Sequence, residues 1–171
     1  TTDFGESWIK VSPNEQSENF RDIRYKPGSR EVLYTSSNIG FYRTEDGGEN
    51  WTLIGEEEGI TATGRIVIGV SPANNNLVYL VIGGTFKGCF LSRDSGQTFT
   101  LQSDSPNILG GAFDGDDDRN QSWYDLVIHV DPFNANIVHT GGINLWRSDD
   151  AGVTWSCTGH WTGDRTNTVH A

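Results

Sequence analysis

One eight-residue pattern occurs four times in this chain, and it restricts the fold to something built from repeats. It reads Ser/Thr-x-Asp-x-Gly-x-(Ser/Thr/Asn)-aromatic and begins at Thr1, Thr44, Ser92 and Ser148, which places Asp3, Asp46, Asp94 and Asp150 at intervals of 43, 48 and 56 residues. Each residue type suits a tight hairpin turn. The aspartate accepts hydrogen bonds from turn amides, and Gly5, Gly48, Gly96 and Gly152 take a positive φ. The rings of Trp8, Trp51, Phe99 and Trp155 start a returning strand and pack. These aspartates, glycines and rings therefore read as structural.

A second motif keeps the same register. Pro27, Pro72 and Pro132, each followed by Gly or Asn, fall 19, 22 and 18 residues before the next repeat aspartate. Proline fixes φ and cannot donate to a ladder, so these segments read as loops joining a first strand to a second. First strands are expected at 22–25, 66–70 and 126–130, the last two as apolar runs covered on both faces. Third strands are expected at 41–43, 90–91 and 145–147, with fourth strands starting at Trp51, Phe99 and Trp155. Residues 8–11 read as an outer strand left from an earlier unit.

The repeats resemble the Asp-box, or BNR-repeat, family, in which the box caps the hairpin between the third and fourth strands of a β-propeller blade; only the second copy departs, with Asn50 where Ser or Thr is usual. The spacing agrees with blades of that kind. The expected fold class is all-β: a partial β-propeller of about three four-stranded antiparallel blades plus fragments, from a seven-bladed whole. The whole chain then belongs to one propeller domain. Residues 1–11 end a blade, 12–55, 56–104 and 105–160 are blades, and 161–171 begin the next connection. The resemblance implies a fold and leaves function open, since the family spans sialidases, xyloglucanases and receptors.

Composition narrows the partners. Twelve basic against 23 acidic residues give a formal charge of −11, which argues against nucleic acid and anionic membranes. No apolar run approaches a membrane span. A chain of this kind needs partner blades, from the same propeller or another chain, to cover its open ends. Cys89 and Cys157 fall in different blades and read as two small buried thiols, with a disulfide as the alternative.

In a propeller the box turns and the first-to-second loops share one rim. The longer segments 12–21, 55–65, 102–124 and 157–171 belong to the other, with the short loops 36–40, 83–88 and 141–144. Function is expected there. Trp123, Tyr124 and Asp125 enter an innermost strand from that rim, and an aromatic pair beside a carboxylate suits a sugar ring. Packing between blades accounts for the same residues equally well. Asn144, His160, Trp161 and His170 converge on the same mouth, and the two histidines with Asp125 are a weaker metal or acid/base candidate. Asp114, Asp116 and Asp118 alternate like ligands of a calcium loop, and Asp125 closes the spacing. Arg119 stands where such a loop needs Gly, so a solvated acidic turn is the favoured reading and no cofactor is firmly implied.

No catalytic pattern is complete. Arg21, Arg24 and Arg65 are available as a sialidase-like trio, but none lies in the Phe/Tyr-Arg-x-Pro setting of that family. Over residues 120–171 the chain also resembles propellers of secreted or surface proteins of Bacteroidota, many exported by type IX secretion, although His139 replaces the usual Tyr. The expectation is a non-catalytic extracellular module, secreted or on the cell surface, that binds glycan or protein or acts as a scaffold. The alternative is an incomplete half of a glycoside hydrolase.

Overall fold

The computed structural model describes residues 1, 3–13 and 18–162. Among them are twelve strands and no helix. The strands form three antiparallel sheets of four, each in chain order. The first holds β1 (Asp22–Tyr25), β2 (Leu33–Ser36), β3 (Phe41–Thr44) and β4 (Thr52–Ile54); the second β5 (Ile66–Val70), β6 (Val78–Ile82), β7 (Gly88–Ser92) and β8 (Thr100–Ser103); the third β9 (Val127–Val130), β10 (Val138–Gly141), β11 (Leu145–Ser148) and β12 (Ser156–Gly159). Each fourth strand starts one residue beyond the aromatic ring of its repeat.

The sheets pack face to face through their innermost strands, β1 beside β5 and β5 beside β9. The middle sheet is apolar on both faces because its sequence alternates between two cores. Val78, Leu80 and Ile82 of β6 join Tyr34, Phe41 and Phe99 between the first and second sheets. Tyr79 and Val81 face the other way, joining Ile128, Val130 and Trp146. β-Branched and aromatic residues fit such doubly covered strands.

The end sheets differ. Val127 and His129 are exposed, so β9 is covered on one face rather than two, and β1 is largely exposed. No further sheet among the described residues lies against those faces; on the first sheet, residues 10–13 and Phe20 border a cavity with Ile23, Arg24 and Thr35. The outer strand expected at 8–11 is absent too, and Trp8 is 78% exposed. A fourth strand is held by the third strand of its own sheet, and the described residues offer none ahead of Trp8.

All four repeats nevertheless form the same turn. In the second, Thr44 Oγ donates to Asp46 Oδ1 at 2.7 Å and accepts from the Gly48 amide at 3.1 Å, while the Asn50 amide donates to Asp46 Oδ1 at 2.9 Å. Ser92, Asp94 and Thr98 repeat this, as do Ser148, Asp150 and Thr154, and Thr1, Asp3 and Ser7. The departure at Asn50 is accommodated: its side-chain amide donates to Asp46 Oδ2 at 2.8 Å, where Thr98 and Thr154 use a hydroxyl at 2.6 Å. Two consecutive residues, not one, adopt positive φ, as at Ser95 (64°) and Gly96 (81°) or Ala151 (63°) and Gly152 (86°).

The first of those two residues ties the turn to the proline loop of its own sheet. Gly47 N donates to Glu31 O at 2.8 Å, Ser95 N to Asn76 O at 2.9 Å and Ala151 N to Asn136 O at 2.9 Å. Both sets of turns therefore share one rim, and the connections into β5 and β9 arrive at the opposite one. Part of the 55–65 connection departs from that placement. Phe99 N donates to Glu58 O at 2.6 Å, because the segment buries Ile60 in the core between the first two sheets. Both thiols are free; Cys89 is buried as expected, while Cys157 is only half-buried.

Candidate functional site

The rim opposite the repeat turns is assembled from loops, among them a hydrogen-bonded loop at residues 107–117. Asn144, buried in the β10–β11 loop, donates its amide to Gly110 O and Ala112 O, both at 3.2 Å, and accepts from Trp161 N at 3.1 Å. His160 is also buried, and its Nε2 lies 3.1 Å from Gly111 O while Nδ1 lies 2.9 Å from the Thr162 hydroxyl. The Trp161 indole donates to Gly111 O at 3.1 Å. Buried polar groups must find partners, and here the loop backbone supplies them. The side chains of Asn144 and His160 are thus spent on holding the loop, and His170 lies outside the described residues.

The acidic run is ordered differently from a calcium loop. Asp117 turns inward and accepts from Gly111 N and Ala112 N, each at 3.1 Å for Oδ2. Asp114 caps the Asp116 amide at 3.2 Å, and Asp114, Asp116 and Asp118 point to solvent. Among the described residues no three His, Cys, Asp or Glu side chains come together to hold a metal ion. Asp114, Asp116 and Asp118 are exposed side chains on an acidic turn in this geometry. The loop's geometry is held in part by the Gly111 and Ala112 amides, which donate to Asp117.

Trp123 and Tyr124 present the opposite picture. They sit on a turn fixed by Tyr124 N donating to Gln121 O at 2.7 Å and Asp125 N to the same carbonyl at 3.1 Å. Their rings are 72% and 73% exposed, tilted by 50° with centroids 5.6 Å apart. Among the described residues neither ring is wedged between sheets. Ser122, just before them, is the residue that packs. A Cβ on Gly83 would lie 2.7 Å from Ser122 Cβ, so only glycine admits the loop there. Ser122 Oγ also accepts from Gly84 N at 2.8 Å.

Beside Trp123 is a cavity of about 280 Å³ lined by Arg21, Asn38, Gly64, Arg65 and Trp123. Arg21 and Asn38 come from the first sheet's loops, Gly64 and Arg65 from the connection into β5, and Trp123 from the connection into β9. It spans three sheets at the mouth where the innermost strands meet. Arg65 Nη1 donates to Ser122 O at 3.1 Å. Its Nε is buried without a hydrogen-bond partner among the described residues, as is Oδ1 of Asp125. Sequence reasoning placed Trp123 here and missed the arginines as lining residues. The signal was that Arg21 and Arg65 each stand immediately before an innermost strand.

Comparison with known proteins identifies the fold. No family model matches the chain. A xyloglucanase of Hypocrea jecorina (strain QM6a) is 27% identical over 158 residues, 84% of this chain and 18% of that enzyme. Among solved structures, YCF48 bound to D1 peptide aligns with a TM-score of 0.59 and 16% identity, over 85% of this chain and 41% of that one. A GH74 xyloglucanase from Xanthomonas campestris aligns with a TM-score of 0.58 and 23% identity, over 82% of this chain and 22% of that one. The chain spans less than half the length of each of these proteins. Its three antiparallel sheets correspond to part of a β-propeller.

Proposed function

We propose that the chain is a portion of an Asp-box propeller, seven-bladed when complete, belonging to a secreted or cell-surface protein, and that it binds carbohydrate without catalysing a reaction. The remaining blades, in the same protein or in a partner chain, would cover the open faces of β1 and β9. The observation that carries the reading is the exposed Trp123–Tyr124 pair at the channel mouth. Two fixed, solvent-facing rings offer apolar platforms to pyranose CH faces, and burying them on a ligand supplies the driving force. The likeness to xyloglucanases supports a carbohydrate as the ligand class. The Bacteroidota resemblance supports export, including by type IX secretion, and no helix among the described residues is long and apolar enough to cross a membrane.

The second reading, an incomplete half of a glycoside hydrolase, is favoured by one feature. Asp125 keeps a buried oxygen without a partner at the base of the aromatic pair. Such an enzyme needs a second carboxylate across the cleft, which would come from another part of the propeller.

Binding to immobilised xyloglucan, pectin and mucin glycans, measured for the protein and for a Trp123→Ala/Tyr124→Ala variant, tests the proposal. Retention that falls at least tenfold in the variant, at an unchanged melting temperature, is expected from the loss of two stacking rings. Equal retention by both proteins would refute it. Release of reducing sugar, lost in Asp125→Asn, would establish the enzymatic reading instead.

A further inference from the structure

We propose that the cavity lined by Arg21, Asn38, Gly64, Arg65 and Trp123 is a subsite for a hexuronate residue of a glycan. The inference rests on the carbohydrate-binding reading above and specifies its ligand.

The argument begins with how this chain uses its few cations. It has 12 basic residues against 23 acidic ones, and three arginines are closely paired with carboxylates: Arg24 with Asp22 at 2.9 Å, Arg43 with Glu45 at 2.6 Å and Arg147 with Asp149 at 2.6 Å, while Arg30 and Arg93 stand apart from one another and from this cavity's lining. Arg21 and Arg65 share one cavity, and neither meets a carboxylate among the described residues. The carboxylate nearest in sequence is already spent, because Asp22 is held by Arg24 and by Ile68 N at 2.9 Å. Two guanidiniums kept together without a counter-charge, one with a buried and unpartnered Nε, are suited to an anion supplied from outside. Arginine's fork matches a carboxylate in particular.

The rest of the lining selects a sugar as the carrier of that carboxylate. The Trp123 ring borders the cavity and is exposed, giving a stacking face beside the charge. Asn38 already accepts from Asn19 N at 2.8 Å through its oxygen, so its amide nitrogen remains a donor for a ring hydroxyl. About 280 Å³ is at the small end of ligand pockets, which begin near roughly 300 Å³, and fits a single ring better than an extended chain.

Placement follows from the backbone. Gly83 N donates to Arg65 O at 2.7 Å, and a Cβ on Gly64 would lie 2.4 Å from Gly83 O, so the chain entering β5 is pinned. With Nη1 anchored on Ser122 O, the Arg65 guanidinium is presented at a fixed position beside the Trp123 turn.

Calorimetric titration of the protein with trigalacturonate, its methyl ester, a neutral xyloglucan oligosaccharide and a short peptide with a free C-terminal carboxylate tests the proposal. Trigalacturonate should bind, and the methyl ester should bind roughly 10- to 100-fold more weakly, since esterification removes a charge-assisted pair. Arg65→Gln and Trp123→Ala should each show a loss of that order. Arg21→Gln guards against a folding defect, because Arg21 makes no structural hydrogen bond comparable to that of Arg65. Binding of trigalacturonate should also weaken between low and high salt. Equal affinity for acid and ester, preference for the peptide, or unchanged affinity in Arg21→Gln and Arg65→Gln would each overturn the assignment. If the neutral oligosaccharide binds through Trp123 while trigalacturonate does not, the hexuronate subsite fails and the carbohydrate reading stands. If no glycan binds, both fail.

Discussion

Tyr34 of the first sheet donates its hydroxyl at 3.1 Å to the carbonyl of Ser95, the left-handed residue at the tip of the second sheet's repeat turn. The same carbonyl accepts from Arg43 Nε at 2.8 Å, and Arg43 pairs with Tyr34 across β2 and β3. The repeat turn is thus more than a hairpin cap. Its unusual backbone turns a carbonyl toward the neighbouring sheet, and the next interface uses a related bond, with Ser103 Oγ donating to Gly152 O at 2.6 Å.

Removing that hydroxyl should loosen the first interface without opening it. Tyr34→Phe is expected to cost about 1 kcal/mol, because Ser95 O keeps the arginine bond. Alkali should act in the same direction. Burial pushes the phenols of Tyr34 and Tyr79 up from 10.0 to about 12. A raised folded value means the contribution is complete below pH 10 and lost as pH rises through 12. Urea midpoints measured across that range should fall for the parent and less steeply for Tyr34→Phe; parallel curves would show that Tyr34 does not contribute.

The repeat aspartates should set the acid limb. For Asp46 the Asn50 amide is the main cause, holding its carboxyl at about 2 with help from the Thr44 hydroxyl and the Asn50 side chain. Burial pushes Asp94 up, but hydrogen bonds from Thr98, Ser92 and Gln97 outweigh it and bring it to about 2. Depressed values give stability that is present above pH 3.8 and lost as pH falls through 2. Asp94→Ala is expected to cost about 1–2 kcal/mol at neutral pH and to flatten the acid transition. A melting temperature equal to that of the parent at pH 7 would show the turn to be independent of its carboxylate.

Gly152 and Cys89 should be energetically coupled. A Cβ at Gly152 would stand 2.6 Å from Cys89 Sγ, at a φ of 86°. Gly152→Ala therefore carries roughly 1–2 kcal/mol of backbone strain together with a steric clash. Adding Cys89→Ala should relieve the clash and leave the strain, which a double-mutant cycle in urea would read as favourable coupling. Zero coupling would mean that the turn relaxes away from the thiol. In the folded parent Cys89, pushed up to about 12 by burial, should resist a thiol reagent that reaches Cys157.

Two rim residues should behave oppositely. Asn144→Ala is expected to cost on the order of 2–3 kcal/mol, since it leaves buried loop carbonyls and an amide without partners. Trp123→Ala should leave the melting temperature nearly unchanged, because the ring is 72% exposed. Thermal melts of the two variants side by side decide the matter, and a large loss in Trp123→Ala would restore a packing role for that ring.

What the sequence determined is local or periodic. The turn around Asp3 forms with the same bonds as its three counterparts although no strand among the described residues flanks it, because its donors and acceptors lie within a few residues of one another. The proline loops and alternating apolar strands fixed the order of the sheets for a similar reason, since period-two burial is written residue by residue. What only the tertiary structure decided is which equivalent residues are covered and which chemical groups meet. Trp8, Trp51, Phe99 and Trp155 occupy one motif position, yet Trp8 is exposed while Phe99 is buried with its ring 5.2 Å from that of Phe41 on the neighbouring sheet. Asn144 and His160 share a loop-rich rim with Trp123, but hydrogen bonds to residues 110–112 drew them inward. The cavity joins Arg21, Arg65 and Trp123 from three connections, and no spacing along the chain encodes that meeting. It arises from the packing of the innermost strands, whose side chains and twist set how close the three loops come.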